Sequence, residues 1–319
     1  MCYSAMVKQS VKQLGMSFYA HVDLTLLDDV FDRRNNCENI SISKGLEHNF
    51  LAPETSEEKE IKKKIDTFHE KQIRILEEGL FKLKGRIVVA DRKLKENPTK
   101  TATKEKAVCE RQIERKKTKL ENISRSRPVE TDDRIYPFTW APVIIRKDGE
   151  RTIVPMRYHL RPPGKPPEFD IERPGCYNAR RDNLAKYWRK EFGKKHGVII
   201  LKSFFENVDR NVYEKRELKP NEKPENLILQ FIPQGIDEMI VPIIWDTWGE
   251  NPEGSFDSFA IITDDPPLEI SSAGHDRCPI FIKPENIDAW LNPEDKTDEE
   301  LFALLDDRIR PHYEHRIAA

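Results

Sequence analysis

Long apolar runs are missing from this 319-residue chain. The longest, such as Val198 to Leu201 and Ile240 to Ile244, fall far short of the roughly 20 residues a membrane-crossing helix needs, so no membrane partner is expected. The amino end, Met-Cys-Tyr-Ser-Ala-Met-Val-Lys, has no basic segment followed by a long apolar core. It does not read as a secretion signal, and a cytoplasmic setting is expected. Paired cysteines are also missing. Cys2, Cys37, Cys109, Cys176 and Cys278 are an odd number at wide spacings, which gives neither a metal knuckle nor a disulfide framework. The eight histidines add no zinc-type spacing, and no glycine-rich phosphate loop occurs, so no metal and no cofactor is implied.

Charge is abundant but unevenly spread. The net charge of −2 conceals a stretch from Glu57 to Arg127 with about nine more Lys and Arg than Asp and Glu, which leaves the remainder acidic. The same stretch carries a helical pattern. Thr55 with Glu58 three residues on fits a capping box, in which side-chain and backbone groups at a helix start satisfy each other. Apolar residues then recur in steps of three and four at Ile61, Ile65, Phe68, Leu76, Leu80, Leu83, Ile87, Ala90 and Leu94. Asn97-Pro98 stops the helix, because proline has no amide hydrogen and restricts the residue before it. A weaker stripe of Cys109, Ile113, Leu120 and Ile123 ends at Ser126-Arg127-Pro128. The pattern predicts an antiparallel helical hairpin inserted between two other segments.

Before the hairpin, residues 1 to about 54 show only short apolar groups between turn formers. After it, short β-rich stretches alternate with helical pieces: Val143–Ile145, Thr152–Val154, Val198–Leu201, Ile240–Ile244, Phe259–Thr263 and Pro279–Ile282. They suggest an antiparallel-dominated sheet. A helix from about Pro284 and another capped by Thr297 with Glu300 follow. The fold class is α+β.

The chemistry starts at Cys2. Removal of Met1 would leave an α-amine and a thiol on adjacent carbons. That amine has a reference pKa near 7.7 to 8.0, so a useful fraction is neutral and nucleophilic at cellular pH. With an aldehyde it forms a Schiff base, and the neighbouring thiol closes a five-membered thiazolidine, a step favoured by proximity. Three later segments are notable: Cys176-Tyr177-Asn178-Ala179-Arg180, Ser203-Phe204-Phe205-Glu206 and Gly274-His275-Asp276-Arg277-Cys278-Pro279. Read alone, Asn178 is a satisfied buried amide, Glu206 a solvated strand-end residue and His275 a loop histidine bonded to Asp276.

Taken in order with Cys2, the four segments resemble the SOS-response-associated peptidase (SRAP) family, whose pattern is an N-terminal Cys, Asn-Ala-Arg, aromatic-Glu and His-x-Arg-x-Pro. The likeness extends through Ile240–Asp264, with Trp245 and Trp248 ahead of Ser255-Phe256. It implies a barrel-like SRAP fold as a single domain over 1–319, with the hairpin of 55–127 inserted in it. It also implies crosslinking of Cys2 to the ring-opened sugar of abasic sites in single-stranded DNA by a monomer, self-cleavage after Met1, and lyase or reversal chemistry. By the same resemblance Asn178 would hold the amine or sugar, Glu206 would be the general acid/base, and His275 would open the ring or protonate an intermediate. Arg180, Arg277 and Arg189 become the candidates for DNA contact. Two departures stand out. Many members continue Cys with Gly-Arg where this chain has Tyr3-Ser4, and Met156-Arg157-Tyr158-His159-Leu160-Arg161-Pro162 replaces a Trp-Gly stretch. Two other readings remain open: an N-terminal-nucleophile peptidase or amidohydrolase built on Cys2, and a non-catalytic protein that uses the hairpin to bind DNA or a protein partner.

Overall fold

In the computed structural model, residues 3–36, 39–249 and 254–318 are described. Two compact units form: residues 1–30, 39–52 and 130–319 make the first, and 31–38 with 53–129 the second.

The strands are β1 (Ser4–Val7), β2 (His21–Val22), β3 (Ser41–Ile42), β4 (Arg134–Ile135), β5 (Thr139–Lys147), β6 (Glu150–Tyr158), β7 (Asn178–Arg180), β8 (His196–Asp209), β9 (Asn226–Pro233), β10 (Met239–Trp248), β11 (Phe256–Asp264), β12 (Cys278–Pro279) and β13 (Tyr313–Ile317). Five of them close a ring: β8 pairs with β10, β10 with β11, β11 with β6, β6 with β5, and β5 again with β8. All of these pairings are antiparallel except β11–β6. The closure point explains one glycine. Gly197 is opposite both Ile145 and Ile243, and a Cβ there would lie 3.0 Å from the Ile144 carbonyl and 3.0 Å from the Ile145 side chain. Only a residue without a side chain lets three strands meet at that spacing.

Inward residues alternate along these strands and fill the barrel with Val143, Val154, Ile199, Val241 and Ile261, all essentially inaccessible. Beyond the ring, β9 and β13 extend the sheet from β8. Phe204, Phe231 and Tyr313 pack there ring against ring, with centroids 5.3 and 5.5 Å apart.

The sequence pattern located five of the barrel and flanking strands but shortened them. The stretch Pro279–Ile282 is corrected: only Cys278–Pro279 pairs with β11, and Ile282 makes an isolated bridge to Arg308. The Ile280 amide still donates to the Ile262 carbonyl of β11, but the Ile282 amide donates to Ile240 of β10, so the stretch crosses from one strand to the next and does not extend a single ladder. The early segment is also more ordered than its apolar groups suggest. It contains β1 and the helices Val11–Phe18 and Leu24–Asn35, the first capped by the Ser10 hydroxyl accepting from the Gln13 amide.

The second unit is a helical hairpin of Ser56–Glu96 and Lys100–Ser124. The capping box is formed: the Glu58 amide donates to Thr55 Oγ1 at 3.2 Å and the Thr55 amide to Glu58 Oε2 at 3.3 Å. Thr99 caps the second helix. Ile61, Ile65, Leu76, Leu83 and Ala90 are buried on one helix, Ala102 and Cys109 on the other. Cross-helix pairs Arg86–Glu105 and Lys106–Asp91, at 2.5 and 2.8 Å, set the antiparallel register. These pairs are exposed, so packing of the apolar stripes rather than charge holds the hairpin.

Candidate active site

Register brings the candidate residues to one end of β8. β1 runs antiparallel to β8 with Ser4 opposite Phe205 and Ala5 opposite Phe204. The next residue along β8 after Phe205 is Glu206, and the residue before Ser4 is Tyr3. Cys2 lies outside the described residues, as does Cys37. Tyr3 is the first residue described, with its ring edge-on to Tyr136 at 6.0 Å and to Tyr177 at 6.5 Å.

Glu206 is not the strand-end residue that its sequence setting suggests. It sits within β8, which continues to Asp209, and is fully buried. Its Oε2 is 3.1 Å from Nε2 of His275, itself buried. The loop carrying the histidine is shaped by Gly274, at φ 99°, where a Cβ would lie 2.7 Å from Val208 and 2.8 Å from Val212. A side chain at 274 would both strain the backbone and push the loop off β8. Nδ1 of His275 faces the Arg277 carbonyl at 3.1 Å and the Arg277 amide at 3.3 Å. The imidazolium can donate to that carbonyl while Nε2–H donates to Glu206. The neutral ring with Nε2–H retained can accept from the Arg277 amide instead. The loop therefore offers Nδ1 both an acceptor and a donor.

Asn178 and Arg180 are held by a different device. β7 runs parallel to β11, with Asn178 opposite Ile261 and Arg180 opposite Thr263. Asn178 is 7% exposed, and neither end of its amide finds a hydrogen-bond partner among the described residues. Leaving a buried amide unbonded costs about 1–3 kcal/mol. Tyr177, which the sequence did not single out, buries its ring against both Tyr3 and Tyr158 and ties this segment to the amino end of the chain. Arg180 forms ion pairs with Asp182 at 3.1 Å and Asp265 at 3.3 Å. Arg277 is 3.8 Å from Asp276, and Arg189 is exposed in the turn-rich stretch after Leu184.

The substituted stretch after β6 is built tightly. Arg157 and Arg161 both clasp Asp170, whose carboxyl stays below the usual range because the two guanidinium groups outweigh the burial that would raise it. His159 has φ 128° and is fully buried. Burial lowers its pKa to about 4, which keeps the ring neutral.

The described cysteines make poor nucleophiles. Cys109, Cys176 and Cys278 are free and buried. Burial raises the Cys176 thiol and pushes Cys278 up to about 12, so neither supplies thiolate at neutral pH. Among the described residues no group of His, Cys, Asp and Glu is arranged to hold a metal, and no helix is long and apolar enough to cross a membrane.

Comparison with known proteins follows the same lines. A family model described as SOS response associated peptidase (SRAP) matches residues 99–316, about two thirds of the chain. That match leaves the amino end and the longer hairpin helix outside it. No curated protein matches. Similar solved structures include a protein from Bacteroides thetaiotaomicron, at 18% identity over 58% of this chain and 77% of that one, with TM-score 0.45. A protein from Bordetella bronchiseptica has 18% identity over 61% and 90%, with TM-score 0.45. A phage-related protein from the same organism has 15% identity over 58% and 80%, with TM-score 0.43.

Proposed function

The chain belongs to the SOS response associated peptidase family, a DNA-damage-associated group, and from that premise we propose that it forms a covalent adduct between Cys2 and abasic sites in single-stranded DNA. The observation that carries this reading is the buried Glu206–His275 pair, 3.1 Å apart, with Glu206 one residue beyond Phe205, the β8 partner of Ser4.

The ring-opened sugar of an abasic site is an aldehyde. The α-amine of Cys2 attacks the aldehyde carbon, a proton moves to the oxygen, and water leaves as the Schiff base forms. The thiol then adds to the imine carbon, its proton passes to nitrogen, and the thiazolidine closes with one water lost overall. Glu206 accepts and returns these protons, and His275 protonates the departing oxygen. The open amide of Asn178 holds the amine or a sugar hydroxyl. Arg180, Arg277 and Arg189 meet phosphates, with Arg180 exchanging its aspartates for the DNA backbone. Removal of Met1 must come first, because an acylated amine cannot form the imine, and self-cleavage there fits the peptidase in the family's description.

Incubating the mature protein with a single-stranded oligonucleotide containing one abasic site should give a gel-stable adduct that Cys2→Ala does not give. No adduct from the parent protein, shown by intact mass to lack Met1, would sink the proposal. Reaction of Cys2 with amide probes and not with aldehydes would favour an N-terminal-nucleophile amidohydrolase instead.

A further inference from the structure

Three aromatic rings are left in contact with water beside the amino end of the chain. Tyr3, Tyr136 and Phe138 are 38%, 41% and 41% exposed. They are not loosely placed. Tyr3 meets Tyr136 edge-on, and Phe138 lies 4.7 Å from the buried His159 ring. The Phe138 amide donates to the Tyr158 carbonyl at 2.6 Å, which holds the residue at φ 74°, a backbone region that a bulky residue occupies only at a cost. The fold keeps a phenylalanine there and turns its ring outward.

Arg134 completes the surface. It precedes Tyr136 by two residues, on the short strand paired with β1. Its guanidinium lies 3.5 Å above the Phe205 ring and 4.9 Å from that of Tyr136. Nε and Nη2 donate to Ser4 Oγ at 3.1 and 2.9 Å. Arg157, Arg161 and Arg308 each have a carboxylate partner, whereas Arg134 has none among the described residues. A half-buried cation without an anion is costly, and a bound phosphate would offset that cost.

We propose that Tyr3, Tyr136 and Phe138 are a stacking platform for the unpaired bases flanking the reacting sugar, and that Arg134 receives the adjacent phosphate. The inference rests on the proposed function only in taking DNA as the ligand. Every base has a π-face, so the platform is tolerant of sequence. Duplex bases are already stacked on each other, so it selects single strands.

The test uses Cys2→Ala protein, in which no covalent step can intervene, and undamaged single strands carrying 2-aminopurine. Binding should quench the 2-aminopurine emission. Tyr136→Ala and Phe138→Ala should each weaken binding about tenfold and restore the emission, while Tyr136→Phe keeps both affinity and quenching. Arg134→Gln should flatten the dependence of log affinity on log salt by about one ion, and Arg134→Lys should keep the slope. Urea midpoints matching the parent confirm that the variants are folded. Parent-like affinity and quenching in both alanine variants overturn the platform, as does a Tyr136→Phe variant as weak as Tyr136→Ala. If the platform holds while the parent forms no adduct with abasic DNA, the covalent reading alone fails.

Discussion

Acid should weaken the barrel through one buried histidine. His196 begins β8, is 3% exposed, and stacks on Trp290 with ring centroids 3.9 Å apart. The Gly193 amide donates to Nε2 at 3.0 Å, so Nε2 is an acceptor and Nδ1 carries the hydrogen it donates to the Trp290 carbonyl, also at 3.0 Å. Protonating Nε2 would set two donors against each other and place a charge in the core. Burial accordingly lowers the folded-state pKa from 6.5 to about 3. Above pH 6.5 the ring is neutral folded or unfolded, and pH has no effect through it. Below 6.5 the unfolded chain binds a proton that the folded chain refuses, so stability falls until about pH 3. Each pH unit in that window is worth up to about 1.4 kcal/mol, and the whole window on the order of 5 kcal/mol, a large part of a typical domain's stability. His196→Asn retains a donor for the Trp290 carbonyl and removes the titration. At pH 8 the variant should be less stable by about 2 kcal/mol through lost stacking and one lost hydrogen bond. Urea unfolding followed by tryptophan fluorescence is a clean assay, because all five tryptophans lie in the barrel unit. Parent and variant stabilities should converge as pH falls and cross near about pH 5. Curves that stay parallel from pH 8 to pH 4 would refute the assignment.

Two other expectations concern the site and the hairpin. Glu206→Gln removes the carboxylate that faces His275 while keeping its shape, and should slow adduct formation about 10²- to 10⁴-fold in single-turnover gels; an unchanged rate would remove Glu206 from proton transfer. Thr55→Ala deletes the acceptor for the Glu58 amide and should cost the long helix about 1 kcal/mol, read as an earlier loss of far-ultraviolet circular dichroism. The tryptophan-reported transition of the barrel unit should stay where it is.

Local, repeated signals were the legible ones. Both capping boxes, at Thr55 and Thr297, form as their spacing requires, and the stripe from Ile61 to Ala90 is the buried face of the first hairpin helix. Strands crowded with β-branched residues were visible for the same reason. β1 was not, because four residues of Ser-Ala-Met-Val are too few to show a period, and their strand identity comes from pairing with distant β8 and β4. β13, Tyr-Glu-His-Arg-Ile, has the polar surface of an edge strand and among the described residues pairs on one side, with β9. At the site, motifs marked Asn178, Glu206 and His275, but not the depth of Glu206 or the open amide of Asn178. Arg134 was the harder case. It lies 130 residues from the Ser4 hydroxyl it bonds, and only the β1–β4 pairing brings the two together.

The central claim is a covalent bond between the amino-terminal aminothiol and the sugar aldehyde, and intact mass spectrometry measures it directly. After incubation with an abasic single strand and no reductant, the account predicts a species with the mass of the chain without Met1 plus the oligonucleotide, less one water, that survives denaturation and is absent with Cys2→Ala. A chain that retains Met1 and still gives the adduct, or an adduct that persists in Cys2→Ala, would contradict it.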